Sequence, residues 1–255
     1  MIRALAALFL IWFAAPARAE QLVVALSQEE VAISSNFTGA RIVLFGTIED
    51  VPEAPRPEGY DLAVVLRGPE EDVTVRLKER TAGVWINRAS REYREVPTFY
   101  AALGSSPLQN VASEFLLRRF EIGLANIGLD RADAPRPAEE SPRQDEFARA
   151  FLRLKKENAL YYESSEAVEL LSPTLFKAEV TLPASVPVGL YWADVYLFSD
   201  GDMLATQHAV IGIDKSGFEQ LVFTLAHHRP FLYGLAAVLT ACLIGWLASV
   251  LFRRE

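Results

Sequence analysis

Metal ligands and thiols are scarce in this chain. It contains one Cys and 3 His among 255 residues. These are too few for a structural zinc site, a haem-attachment motif or a dithiol redox pair. The single cysteine, Cys242, lies in an apolar run near the C-terminus, so no disulfide is expected. We therefore expect neither a metal site nor a cofactor.

Motifs of catalysis are also missing. Gly104-Ser105-Ser106-Pro107 does not match the Gly-x-Ser-x-Gly elbow, and the chain has no Ser-x-x-Lys, phosphate-loop or dinucleotide pattern at a strand-to-helix junction. His208 has no acid or thiol close to it in sequence. His227 and His228 are adjacent, and adjacent side chains on a helix point about 100° apart, so they cannot jointly bind one metal. We expect a protein without enzymatic activity and name no catalytic residue. An envelope hydrolase stays an alternative, because sequence does not display a cleft.

Basic residues are outnumbered by acidic ones. The chain has 25 Lys and Arg against 33 Asp and Glu, a net charge of −8. An acidic surface repels nucleic acid and anionic headgroups, so neither nucleic-acid binding nor peripheral lipid binding is expected. With 51% hydrophobic residues, the composition is that of a globular chain and excludes a disordered one.

The N-terminal residues 1–19 are predicted to be a secretory signal peptide. Arg3 supplies the basic region, an apolar run extends from Leu5 to Ala15, and Ala17-Arg18-Ala19 is a small-x-small cleavage site. The alternative, an uncleaved anchor, is disfavoured because about 11 apolar residues cover only about half of the hydrocarbon core of a bilayer.

Residues 231–252 contain no charged side chain. At 1.5 Å per residue this run spans about 33 Å, which is enough to cross a bilayer. Arg253 and Arg254 follow it, and basic residues beside a span favour the cytoplasmic side. The pattern predicts a single-pass protein of the bacterial inner membrane, with its N-terminal domain in the periplasm and residues 253–255 in the cytoplasm.

Small residues recur every four positions in this predicted span. They would form a ridge that lets another helix approach closely, either a second copy or the helix of a polytopic partner. The residues of this predicted packing ridge are Ala237, Ala241, Gly245 and Ser249.

The part between the two apolar ends has a mainly β pattern. Short β-rich runs predict strands over 20–107 and again over 163–215. Helical spacing over 108–162 predicts an insertion whose second helix begins at a cap on Ser141, and 216–229 is predicted to be a juxtamembrane helix.

Two segments with turn composition are predicted to connect strands as hairpins. They are Arg67–Asp72, which reads RGPEED, and Ser199–Asp202, which reads SDGD.

The run GLYWADVYLF has two largely apolar faces. One face carries Trp192, Tyr196 and Phe198, and we expect either the helical insertion or a partner to cover it. Gly189 and Tyr191 at its start are typical of the tyrosine corner of immunoglobulin-like sandwiches, although the cysteine pair of antibody domains is absent. The predicted fold is an immunoglobulin-like β-sandwich with a helical insertion and one C-terminal transmembrane helix.

The second helix of the insertion is predicted to have a basic face. Arg149, Arg153 and Lys156 recur at helical spacing and could hold an oxyanion. A solvated charged face would give the same pattern. The anion interpretation predicts, as an alternative function, a solute- or anion-sensing module.

Several segments taken together resemble the alphaproteobacterial transmembrane protein family. They are LSQEEVAISSNFTGARIVLFGTI, RTAGVWINR, VPTFYAALGSSPL, LFKAEVTLPASVPVGLYWADVYLFSDG and YGLAAVLTACLIGWLASVLFRR. The resemblance implies an inner-membrane protein with a periplasmic domain and no assigned catalytic residue. Members of that family are often encoded beside a sulfite-exporter-like permease, which implies a role as a transporter accessory. We therefore expect a non-enzymatic accessory or assembly partner of another membrane protein.

Overall fold

The computed structural model describes residues 20–34, 37–52, 56, 59–81, 83–131, 145–215, 226–227 and 230–252. The predicted signal peptide, nearly all of the predicted juxtamembrane helix, the cap at Ser141 and the C-terminal tail lie outside these residues.

The described residues form strands and four helices. The strands are β1 (Gln21–Leu26), β2 (Glu30–Ile33), β3 (Gly39–Glu49), β4 (Asp61–Arg67), β5 (Glu70–Thr81), β6 (Val84–Pro97), β7 (Tyr100–Gly104), β8 (Asp130–Arg131), β9 (Tyr161–Ser164), β10 (Val168–Leu170), β11 (Leu175–Pro183), β12 (Gly189–Ser199) and β13 (Asp202–Lys215). The helices are α1 (Leu108–Val111), α2 (Glu114–Arg119), α3 (Glu146–Glu157) and α4 (Pro230–Phe252).

Two sheets pack face to face as a β-sandwich. The outer sheet has the order β1-β3-β11-β10, and the central sheet has the order β2-β13-β12-β4-β7-β9. Neighbouring strands are antiparallel except for the pairs β2–β13 and β7–β9. Leu44 and Phe176 from the outer sheet meet Val64 and Val195 from the central sheet in the first hydrophobic core. The prediction of a mainly β, sandwich-like fold is confirmed.

The opposite face of the central sheet is also buried. A second core lies between this face and a helical layer formed by α1, α2 and α3. It contains Tyr196 and Phe198 of β12, Tyr100 of β7, Phe151 of α3 and Tyr93 of β6. Both faces of β4 and β12 are therefore covered over much of their length. This burial explains why the sequences of β4 and β12 lack the polar alternation of a strand with one face in solvent.

A third sheet, β5-β6-β8, lies outside the sandwich. β5 and β6 fall within the range predicted as sandwich strands, but they pair with each other as a long hairpin. Their ends nearest the turn carry charged residues on both faces, such as Lys78, Glu79 and Arg80 on β5, so neither face can be buried between sheets.

The predicted hairpin turn at Arg67–Asp72 is wrong. β4 pairs with β12 and β7, whereas β5 pairs with β6, so this segment carries the chain from one sheet to another. The Gly68 N–H donates to the Phe99 carbonyl at 2.8 Å, and the Thr98 N–H donates to the Pro69 carbonyl at 2.8 Å. These bonds satisfy the backbone of the crossing segment locally.

The predicted hairpin turn at Ser199–Asp202 is confirmed. Ser199 pairs with Asp202, and Asp200 and Gly201 have φ values of 54° and 81°. Positive φ at both central residues is what a tight type I′ hairpin requires, and Asp-Gly is a favoured sequence for it.

Asp145 caps helix α3 and ties it to β6. One carboxylate oxygen accepts the Phe147 N–H at 3.0 Å, and the other accepts from Arg91 at 2.6 Å and from the Tyr93 hydroxyl at 2.8 Å. Burial tends to raise the pKa of Asp145, but the hydrogen bonds from Tyr93 and Arg91 outweigh it and hold the pKa below its usual range. The charged carboxylate thus fixes the start of α3 against the hairpin sheet.

Candidate functional site

A polar cleft opens where the helical layer over the central sheet ends. Its volume is about 680 Å³, and it lies between the ends of β4 and β12 and the base of β6. Trp192 lies at its rim, while Arg67 and Asp194 line its interior. The other charged lining residues are Glu70, Arg94, Glu95, Glu121 and Asp130.

An Arg–Asp–His network lies at the cleft. Arg67 forms an ion pair with Asp194, and its second terminal nitrogen donates to the Phe120 carbonyl at 2.7 Å. The other oxygen of Asp194 lies 2.5 Å from Nδ1 of His208. The side chains of Arg67 and Asp194 are 22% and 14% exposed, whereas that of His208 is 65% exposed. The network therefore connects the interior of the cleft to the protein surface.

The charge of Arg67 is held in place by its surroundings. Burial tends to lower its pKa, but electrostatic interactions with Tyr100 and Asp194 outweigh this, and the pKa is raised above its usual value. The positive charge of the Arg67 guanidinium is thus compensated by the Asp194 carboxylate. The charged side chains among the described lining residues are arginines and carboxylates. This arrangement suits polar recognition.

Sequence reasoning missed the pairing of Asp194 with His208. The two residues are directly opposite each other in the β12–β13 pair. A regular hairpin closed by Ser199 and Asp202 would place Gln207 opposite Asp194, but the register shifts by one residue beside Leu197 and Phe198. The Ser-Asp-Gly-Asp turn indicated a hairpin, and nothing in the local pattern revealed this bulge.

The three predicted partner-facing aromatics have two different environments. Tyr196 is 5% exposed and Phe198 is 0% exposed, so the internal helical layer covers both and they cannot face a partner. The Phe120 ring lies 5.2 Å from the Tyr196 ring. Trp192 is 44% exposed beyond the edge of this layer. Together with the half-exposed Leu190 and Val210 it forms an apolar rim beside the cleft, here called the Trp192 rim.

The predicted basic face of α3 borders a second cavity. This groove of about 390 Å³ lies between α3 and β5, and Arg149 and Arg153 line it together with Arg76 from β5. Lys156 is exposed and is not among its lining residues. Arg153 also lies 3.8 Å from Glu157. The structure therefore brings two of the three predicted residues together with an arginine that helical spacing alone could not identify.

The comparison with known families decides the family of the chain. The family described as "Putative transmembrane protein (Alph_Pro_TM)" matches residues 21–254. The chain belongs to this family. The match covers the sandwich, the helical layer and α4, as the resemblance of the sequence segments predicted.

A search of curated proteins finds no match. One solved structure that is similar, "Crystal Structure of a gE-gI/Fc complex", has 11% sequence identity and a TM-score of 0.24, and the alignment covers 78% of this chain and 92% of that chain. This similarity is too low to support an argument about fold or function.

The predicted packing ridge lies on α4. Ala237, Ala241, Gly245 and Ser249 are exposed on this 23-residue helix, and a Cβ atom added at Gly245 would have no neighbour within 4 Å. Side chains at 232, 236 and 250–252 lie outside the described ones. Among the residues that the structure does describe, no helix has both the length and the apolar character needed to cross a membrane.

The histidines and acidic residues form no metal centre in the described part of the chain. Within those residues, no group of three or more His, Cys, Asp or Glu side chains is placed to hold a metal ion. His227 belongs to the described residues, and His228 does not.

Proposed function

We propose that the protein is a single-pass protein of the bacterial inner membrane that acts as a non-enzymatic accessory or assembly partner of another membrane protein, such as a transporter. Membership of a transmembrane protein family supports the membrane assignment. The absence of charge over residues 231–252 supports an anchor there, because about 22 helical residues can cross the hydrocarbon core. The paired Arg253 and Arg254 support a cytoplasmic C-terminus and hence a periplasmic domain.

An immunoglobulin-like arrangement of the sandwich forms part of this proposal. The Tyr191 hydroxyl donates to the Pro187 carbonyl at 2.7 Å. A tyrosine at a strand start that bonds back to the backbone a few residues upstream is the defining contact of a tyrosine corner. Such domains commonly present surfaces for binding, which agrees with an accessory role.

The observation that carries the proposal is the Trp192 rim beside the cleft. Leu190, Trp192 and Val210 place apolar surface next to paired charges, and recognition surfaces commonly combine an aromatic anchor with a polar surround.

Photo-crosslinking from position 192 tests this proposal. We expect the full chain, with a photoreactive phenylalanine analogue at Trp192 and expressed in its native host, to form a crosslink with one membrane protein. The same analogue at Leu154, a half-exposed residue on α3, is the matched control and is expected to give no such product. Crosslinks that are absent, or that form equally at both positions, would contradict the proposal.

A second candidate function is the binding of a small oxyanion in the groove beside α3. Arg76, Arg149 and Arg153 line one cavity, and several guanidinium groups together suit an anion with more than one oxygen. In calorimetric titrations of the full chain in detergent with sulfate, phosphate or sulfite, Arg149→Ala is expected to weaken binding about tenfold. Lys156→Ala is the matched control, since Lys156 does not line the groove. No saturable heat at millimolar anion would eliminate this candidate.

A further inference from the structure

The end of the β5–β6 hairpin exposes apolar residues that nothing in the described structure covers. Val84, Trp85 and Ile86 are 63%, 65% and 46% exposed, and every residue from Gly83 to Ser90 is exposed. Residues 78–81 are the last four residues of β5, and at the rise of a β-strand they span about 13 Å. Burial of large side chains is the normal outcome of folding, so three consecutive exposed ones at the end of a hairpin indicate a contact surface.

Two basic residues of β5, Lys78 and Arg80, lie at the same end of the hairpin as these apolar residues. Lys78 and Arg80 make no ion pair within the described residues, whereas Arg88 is neutralised by Glu79 at 2.6 and 2.7 Å. Arg80 is directly opposite Trp85 in the strand register. The residue pair therefore combines an exposed indole and an exposed guanidinium on one face of the hairpin. We define the hairpin tip as Lys78, Arg80, Val84, Trp85 and Ile86.

This combination of side chains suits the surface of a bilayer. Tryptophan prefers the headgroup level of a membrane, and Lys and Arg are attracted to anionic headgroups. The whole chain has a net charge of −8, so an anionic surface repels most of the molecule and attracts the hairpin tip. The tip thus selects the orientation in which an acidic domain can approach such a surface.

We propose that the hairpin tip inserts into the headgroup region of an anionic phospholipid bilayer and gives the domain a second membrane contact. This inference rests on the proposed membrane anchoring of the chain, because the anchor keeps the hairpin close to lipid. The contact orients the sandwich, and with it the Trp192 rim, relative to the membrane in which a partner would lie.

Tryptophan quenching by brominated lipids tests the insertion. The full chain is reconstituted in vesicles of phosphatidylcholine alone or of phosphatidylcholine with phosphatidylglycerol, with bromine on the acyl chains. The contribution of Trp85 is the difference between the unmodified chain and Trp85→Phe. We expect lipid quenching of Trp85 and its protection from aqueous iodide in the vesicles with phosphatidylglycerol, and much weaker effects in phosphatidylcholine alone.

Charge reversal supplies the matched control. The double change Lys78→Glu and Arg80→Glu is expected to abolish the quenching of Trp85, since each basic residue near an anionic surface changes binding about fivefold. Arg41→Glu with Arg118→Glu makes the same change in net charge at exposed positions away from the hairpin and should leave the quenching unchanged. Circular dichroism checks that both double variants fold alike.

The outcomes separate this inference from the proposed anchor. Trp246 lies in α4, and its quenching by brominated lipid reports the anchor independently. Quenched Trp246 with Trp85 open to iodide in both kinds of vesicle would overturn the hairpin insertion and leave the anchor standing. Protection of Trp85 in native membranes but not in lipid vesicles would also overturn it, because the tip would then contact a protein.

Discussion

Gly46→Ala is expected to lower the free energy of unfolding by about 3 kcal/mol, because it overpacks the first core. Gly46 of β3 lies directly opposite Phe176 of β11. A Cβ atom at position 46 would lie 2.2 Å from Cζ of Phe176, whose ring is 0% exposed and has no solvent into which it could move. The packing of the two sheets therefore depends on an aromatic ring that covers a bare backbone.

Thermal unfolding of the full chain in detergent, followed by circular dichroism, measures this effect. The expected fall in Tm is about 6–12 °C for a domain of this size. Gly212→Ala is the matched control, since it also adds one methyl group to a strand but has no atom closer than 3.8 Å. Adding Phe176→Leu to Gly46→Ala should restore part of the lost stability. Equal Tm values for the two glycine variants would contradict the packing of Phe176 on Gly46.

Gly245→Leu is expected to reduce the recovery of a partner membrane protein about tenfold. Gly245 lies in the middle of the predicted packing ridge, and a leucine there would keep a second helix from close approach. The fold of the β-sandwich should be unaffected, because a Cβ atom at position 245 would have no described neighbour within 4 Å. This effect on assembly would be larger than that of any single exposed residue of the domain.

The turn at Ser199–Asp202 and the burial of both faces of β12 were the features that the sequence predicted best. Ser-Asp-Gly-Asp predicted the turn between β12 and β13 because Asp-Gly tolerates the positive φ values that the turn needs. The two apolar faces of β12 predicted a cover on both sides, and the outer sheet and the helical layer supply it. These features depend on local geometry and on alternation along one strand, which a sequence displays directly.

Connections between sheets were harder to predict. The segment at Arg67–Asp72 has the composition of a hairpin turn, yet it crosses from the central sheet to the hairpin sheet. Turn composition reports the bend of the backbone and carries no information about which strand each flanking segment pairs with. The same limit hid the pair of Asp194 and His208, since one extra residue in β13 decides which side chains meet.

The net charge concealed the basic hairpin tip. A value of −8 for the whole chain argued against any contact with anionic headgroups. The attraction of a surface, however, depends on charges within about a Debye length, roughly 8 Å at physiological salt. Arg80 lies opposite the exposed Trp85 only because of the strand register, and the convergence of Arg76 with Arg149 likewise needs the fold.

Co-purification from the native host tests whether the protein is an accessory of another membrane protein. The full-length protein is solubilised in mild detergent, and the proteins recovered with it are identified by mass spectrometry. Leu243→Phe is the matched control, since it adds bulk about 200° around α4 from Gly245. We expect one membrane protein to be recovered with the unmodified chain and with Leu243→Phe, and to be lost with Gly245→Leu. Recovery of the chain alone, or equal recovery from all three, would contradict an accessory role that depends on this helix.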